Sequence, residues 1–249
     1  VPFTFAHPAI VLPLGRFPPK YVSLTGLIAG SMVPDAEYFI RFRVLSIYSH
    51  SLAGVFWFDL PLALLCAFLF HLIVRDPLIH HLPPLLRRRL KAYLSFDWAR
   101  YFCIRWYIVI LSTLPGAISH LAWDGFTHAG GYFVQHWPWL GVIVNFGNVA
   151  LPAYKLLQHG SSVAGLLVIA WCLLHLPVLT PQWDGDTAIY YWPGIGLLTI
   201  AIVTMRLLAA QGNLAAGHVI VSFIAAFLIA LLLVSVLTRK RRTGYEGTR

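Results

Sequence analysis

Charge is what this sequence has least of. Asp, Glu, Lys and Arg make up 11% of its 249 residues, against roughly 25% in an ordinary soluble domain. So little charge cannot cover a globule in water, and 59% of the residues are hydrophobic, with a mean hydropathy of +0.74. A soluble domain is thereby excluded, and an integral membrane protein remains. Cysteine is nearly as sparse. Cys66, Cys103 and Cys172 all lie inside apolar runs. An odd, scattered set makes neither a disulfide framework nor a zinc-finger spacing, so the three read as small buried apolar residues. The opening "VPFTFAHPAIVLPLGRF" lacks the basic start and small-residue cleavage site of a signal peptide. Membrane entry is expected to use an uncleaved internal segment. No internal repeat, low-complexity linker, nucleotide-binding loop or Ser/His/Asp triad is readable.

What charge there is carries one sign. Lys and Arg number 18 against 9 Asp and Glu, a formal net charge of +9. The basic residues cluster in "RDPLIHHLPPLLRRRLK" (75–91) and "RKRR" (239–242), each abutting an apolar segment. The positive-inside rule accounts for both clusters. No nucleic-acid-binding motif accompanies them, so nucleic acid is not an expected partner.

Five stretches reach the roughly 20 apolar residues that a bilayer crossing takes: 51–74, 101–123, 161–179, 190–209 and 217–238. The basic loop 75–100 and the basic tail 239–249 are then both cytoplasmic, and the parity of five crossings agrees with that. The loop "TPQWDGDTAIY" falls on the same side although it holds Asp184 and Asp186 and no Lys or Arg; acidic residues count little in this rule. Residues 21–33 are too short to span, but Gly26 and Gly30 form a G-x-x-x-G pattern that permits close helix contact. Residues 137–154, with Trp137, Trp139 and several glycines, suit an interfacial or re-entrant segment. The expected fold is all-α: a polytopic helical membrane bundle of five spanning helices and one short N-terminal membrane-associated helix. Residues 1–238 form one membrane domain, with the motifs in 1–180.

Ionisable groups at membrane depth are costly and mark function, and here they converge. His50 precedes the first span, His120 and Asp124 end the second, His128 lies just beyond it, and His159 precedes the third. Asp35 and Glu37 follow the short segment, in "GSMVPDAEYF". The topology puts most of this set at one depth on the outer side. His nitrogens and carboxylate oxygens suit zinc and its neighbours. His120 and Asp124, four apart, share a helix face. His128 is about 12 Å further along the helix, so it needs a helix break at Gly125 or a second ion. Plainer readings stand beside these. "HxxxD" also suits a polar pair joining helices, "PDAE" suits an ordinary helix start, and "SHS" at 49–51 suits a helix cap. His71, His136, His175 and His218 read as hydrogen-bonded polar residues. His80 and His81 fall in the basic loop, on the other side.

The motifs "FTFAHP" (3–8), "GSMVPDAEYF" (30–39), "YSHSLAG" (48–54), "SHLAWDGFTHAGG" (119–131) and "YKLLQHGSS" (154–162) resemble a bacterial membrane-protein family known as domain of unknown function 4184. The likeness covers about residues 1–180. The set is also similar to YdjM-type inner-membrane metal-dependent hydrolases, matched at His7, Pro34-Asp35, His50 and Ser119-His120 with Asp124. Glu37 stands where those carry a second Asp. The order of residues is similar, further off, to zinc-dependent phospholipase C. That likeness implies His7, Asp35, His50, His120, Asp124 and His128 as metal ligands.

The expected function is a metal-dependent hydrolase of the cytoplasmic (inner) membrane. It would use a divalent ion, zinc by the donor set, on a phosphoester or lipid-linked substrate near the outer leaflet. Glu37 and Asp124 are the catalytic candidates, Glu37 as general base, and membrane lipids are the expected partners. The rival is a non-enzymatic multi-pass protein, a transporter or structural helper, whose His/Asp cluster only joins helices. A transporter should show repeated halves and broken helices at the midplane, and neither is evident.

Overall fold

The computed structural model describes residues 3–179, 188–210 and 215–239. Its principal helices are α1 (Leu24–Met32), α2 (Ala36–Arg41), α3 (Leu52–His81), α4 (Pro84–Leu90), α5 (Trp98–Thr127), α6 (Ala153–Leu174), α7 (Ala188–Ala209) and α8 (Ala216–Thr238). Helices α3, α5, α6, α7 and α8 are long and apolar enough to cross a membrane. The all-α class and the five spans are as the sequence implies. The boundaries differ at α3, which continues to His81 rather than ending at 74, and at α6, which runs from Ala153 to Leu174 rather than from 161 to 179. The polar run "KLLQHGSS" is helical, because Ser161 and Ser162 return their hydroxyls to the Gln158 carbonyl, at 3.2 and 2.8 Å. The loop holding Asp184 and Asp186 and the tail from 240 onward lie outside the described residues.

The chain divides into two compact units, Val1–Phe68 with Asp97–Pro177, and Leu69–Phe96 with Val178–Arg249. Every motif singled out in the sequence falls in the first. Its centre is the packing of α1 on α5, and glycine sets that distance. A Cβ on Gly26 would come within 2.6 Å of the Val109 carbonyl oxygen, and one on Gly30 would overlap the Thr113 carbonyl. From the other side, Gly116 faces the Leu27 carbonyl. The G-x-x-x-G pattern thus meets a glycine on its partner, and the two backbones touch as small residues permit in a membrane. Ser23 fixes the start of α1: its hydroxyl accepts the Gly26 N–H at 3.2 Å, and its own N–H donates to the Ser112 hydroxyl at 2.9 Å.

Helix α1 runs into a single 3-10 turn, Val33–Asp35, and then α2. Pro34 starts that turn, so the acids following it sit at a bend that faces inward. Asp35 is 0% and Glu37 1% exposed, so "PDAE" is more than a solvated helix start. At α3, the Ser51 hydroxyl accepts the Gly54 N–H at 3.0 Å. "SHS" is therefore a helix cap at Ser51 and leaves His50 for other work.

Residues 137–154 form no spanning helix. A 3-10 turn, Pro138–Gly141, precedes two antiparallel strands, β1 (Ile143–Phe146) and β2 (Val149–Pro152), paired Ile143 to Pro152 through Phe146 to Val149. Gly147 opens the two-residue turn with a φ of +58°, as a tight hairpin requires.

In the second unit, Tyr191 and Ile195 of α7 pack on Ala230 and Val234 of α8. The Tyr191 and Ser235 hydroxyls bond at 2.9 Å. The end of α3 joins this core, with His81 stacked on Tyr191 and the Trp192 indole N–H donating to the His81 carbonyl at 2.7 Å. His80 and His81 turn their Nδ1–H groups to carbonyls of their own helix.

Candidate metal centre

Four side chains of the first unit meet at one point: Asp35, His50, His120 and Asp124, whose ligand atoms all lie within 4.8 Å of one another. Each arrives by a distinct route. His120 and Asp124 share a face of α5. Asp35 ends the turn after α1, and the α1–α5 contact carries it to them. His50 comes from the loop between α2 and α3.

The spacing is that of ligands around an ion. His50 Nε2 lies 3.5 Å from Asp35 Oδ1 and 3.4 Å from Asp124 Oδ2. His120 Nε2 repeats both distances. These exceed the roughly 2.7–3.2 Å of a sound N–H···O bond. These four His–Asp spacings match the edge, about 3.3–3.6 Å, of a tetrahedron with metal–ligand bonds of roughly 2.0–2.2 Å, and the two remaining spacings stay within 4.8 Å.

The other ring nitrogens have partners of their own. His120 Nδ1 is 2.8 Å from the Ser31 carbonyl oxygen. A carbonyl only accepts, so Nδ1 holds a proton, and in the neutral imidazole that leaves the Nε2 lone pair for an ion. His50 Nδ1 is 2.9 Å from the Ser49 hydroxyl. Asp35 anchors its second oxygen on the Thr4 hydroxyl, which donates to it. Asp35 Oδ1, His50 Nε2 and His120 Nε2 are buried without a hydrogen-bond partner. Buried acceptors aimed at one another are strongly unfavourable unless a cation lies between them.

The electrostatics agree. Burial raises the Asp35 pKa, yet His120 and His50 outweigh it and hold the carboxyl well below the ordinary range. Burial lowers His50, yet Asp124 and Asp35 raise it above its ordinary 6.5. Both shifts express one demand of the site, for positive charge.

His7 and His128 meet the other oxygen of Asp124. His7 Nε2 is 3.4 Å from Asp124 Oδ1, its Nδ1 donates to the Thr4 carbonyl at 3.2 Å, and its ring stacks on His120 at 3.9 Å. His128 Nδ1 is 3.5 Å from the same oxygen. The helix breaks at His128 itself, where the backbone turns extended, and not at Gly125. His128 follows Asp124 by four residues and reaches it as a helical neighbour; it stays a turn beyond the four-residue group. His159 is exposed on α6 and takes no part.

Glu37 differs from its expected role as a general base. One oxygen accepts the Ile47 N–H at 3.0 Å and the Arg41 guanidinium at 2.8 Å; the other accepts the N–H groups of Tyr48 and Ser49, both at 2.9 Å. Burial opposes its charge, but these donors outweigh burial and hold its pKa at about 2. Glu37 is the post to which the 46–50 loop is tied. The tie bends His50 into the left-handed region, φ +55°, where few residues other than glycine sit. Strain of this kind gathers at working sites.

Asp59 escaped the sequence reading. It is 0% exposed, and neither carboxyl oxygen has a hydrogen-bond partner. It ends a π-helical turn, Val55–Asp59, of α3. That turn packs against Val33–Asp35 and α5, the segments carrying Asp35, His120 and Asp124. The signal was present: one acid alone in the run "VFWFDLPLALL" is the membrane-depth ionisable group that marks function.

The model of the family described as "Domain of unknown function (DUF4184)" matches residues 1–236, so the chain belongs to that family. No curated protein and no solved structure matches it.

Proposed function

We propose that this member of the DUF4184 family is a membrane-embedded metal-dependent hydrolase of a phosphoester or lipid-linked ester. One observation carries the reading: His50 and His120 direct nitrogen atoms, and Asp35 and Asp124 oxygen atoms, at a common point with spacings of 3.4–3.5 Å. Two nitrogens and two oxygens suit zinc among the divalent ions. An ion of that kind supplies Lewis acidity and lowers the pKa of a water toward ~7. The protein's own residues do the rest. Ser31 and Ser49 hold the two imidazoles in register, and Thr4 holds Asp35. His7 and His128 sit on the other oxygen of Asp124 and orient that carboxylate. Asp59 is the carboxyl available for proton transfer, since Glu37 is spent on the loop. By the charge of the loops, the site faces the outside of the inner membrane and the C-terminus faces the cytoplasm.

Metal analysis of detergent-purified protein tests the reading. Wild type should hold at least one ion per chain, and His120→Ala and Asp124→Ala should lose it. Hydrolysis of bis(p-nitrophenyl) phosphate should fall with the ion and return on zinc addition only in wild type. Substoichiometric metal in wild type under metal-replete conditions would sink the proposal. Full metal without hydrolysis of this ester or of phospholipid would leave a structural ion that joins helices, the non-enzymatic reading.

A further inference from the structure

Beside the metal centre lies an open groove of about 550 Å³, still within the first unit. One wall is α6, where Ala153, Leu156, Leu157, Gly160, Ser161 and Ala164 recur at helical spacing and share a face. The other wall is Trp123 of α5 with Trp139 and Leu140 of the turn before the hairpin. Eight of the nine lining residues are apolar or glycine. The ninth, Ser161, has its hydroxyl taken: it accepts the Trp123 indole N–H at 3.2 Å. The floor at Gly160 is open, since a Cβ there would meet nothing within 4 Å.

Length and direction select an occupant. From Ala153 to Ala164 the helix rises about 16 Å, close to the roughly 15 Å of hydrocarbon in one leaflet. The groove follows the axis of a spanning helix, and so follows the direction of lipid chains. It begins where α6 begins and α5 ends, the end that carries His120 and Asp124. Trp123 precedes Asp124 in sequence, with their Cα atoms about 3.8 Å apart.

The groove adjoins exposed apolar surface of a helix long and apolar enough to cross a membrane. On α6, Val163 beside the groove and Leu167 beyond it are 60% and 65% exposed. At its mouth, Trp137 and Trp139 stack and are exposed, and Val142, Ile143 and Val149 on both faces of the turn and hairpin are exposed as well. Apolar side chains exposed together mark contact surfaces, and paired tryptophans are the side chains of a membrane interface.

We propose that the groove is a lipid-chain subsite: it takes one hydrocarbon chain of a membrane phospholipid and sets that lipid's phosphoester at Asp124. The second half rests on the hydrolase reading; the first half stands without it. The turn and hairpin dip into the leaflet at that end and lead the chain in.

The test uses the full chain in nanodiscs of phosphatidylethanolamine and phosphatidylglycerol, with a tracer phosphatidylglycerol that carries a diazirine on one acyl chain. Photo-adducts are mapped by mass spectrometry. Adducts on 153–164 and Trp139 should exceed, several-fold, those on the equally open faces around Leu208 of α7 and Leu237 of α8. Gly160→Leu and Ala164→Leu fill the groove and should remove that excess while the metal content stays as in wild type. Equal labelling of all lipid-facing helices, or an excess untouched by either variant, would overturn the proposal. So would cross-links between chains through Gly160→Cys, which would make the groove an interface between copies. The hydrolase reading is separable. If it holds, Gly160→Leu raises KM for long-chain phosphoesters and leaves bis(p-nitrophenyl) phosphate hydrolysis unchanged. Enriched adducts with no hydrolysis of any ester would overturn that reading and the placement at Asp124, and leave the chain subsite standing.

Discussion

Two carboxylates outside the four-ligand group show how the site divides its labour. Glu37 ties down the loop that delivers His50, by accepting three backbone N–H groups. Glu37→Ala leaves those donors buried and unpaired, at about 1–3 kcal/mol each. Metal affinity should then fall about 10–100-fold, as for lost outer-shell partners, although Glu37 touches no ion; competition with a chelating dye measures this. Asp59 is the opposite case. Asp59→Asn should keep its full complement of metal and lose roughly 10²–10⁴-fold in ester hydrolysis, the range for a lost acid–base group. Parallel loss of metal and turnover would assign Asp59 to the fold. At this scale the sequence was legible where spacing carries geometry. His120 and Asp124, four apart on a helix, must share a face. It was illegible where a side chain answers to a distant backbone. Nothing in "PDAEYF" says that Glu37 will accept from residues ten to twelve positions on, and so its charge looked free for catalysis.

Among the elements, the α1–α5 contact decides whether Asp35 meets His120. Gly30→Ala forces a Cβ against the Thr113 carbonyl, and overpacking of that kind costs about 1–3 kcal/mol. The Tm in detergent should drop, and the bound metal with it. Gly196, on α7, is the contrary case, since a Cβ there would meet nothing within 4 Å. Gly196→Ala should raise Tm slightly, because alanine is worth up to about 1 kcal/mol over glycine within a helix. The spans were legible from apolar length and the glycine contact from its four-residue spacing. The start of α6 was not, because serines that bond back to their own helix look polar in sequence and helical in structure. The hairpin was also obscured, since an apolar, tryptophan-bearing stretch fits an interfacial segment as well as strands.

For the whole molecule, the division into two units makes the ion a local stabiliser. Among the described residues the candidate ligands all come from the first unit, and an ion that binds the folded form alone would stabilise that unit by mass action. Chelation should therefore increase amide hydrogen exchange in α1, the 42–50 loop and the outer turns of α5. Exchange in α7 and α8 should stay as in the loaded protein. Uniform deprotection of both units would show that the ion holds more than the segments it touches.

The ligands are also ordered in time. Ribosomes deliver His7, Asp35 and His50 early, but His120 and Asp124 only after α3, α4 and most of α5 have been made. Until then Asp35 and His50 have no ion to share, and α1 has no glycine-bearing partner to lie against. The early segment must wait at the membrane surface with its carboxylate hydrated, and it can close only when α5 arrives. On the proposed metal reading, uptake of the ion would report that α5 has been inserted, since a chain stalled before α5 lacks two of the four candidate ligands.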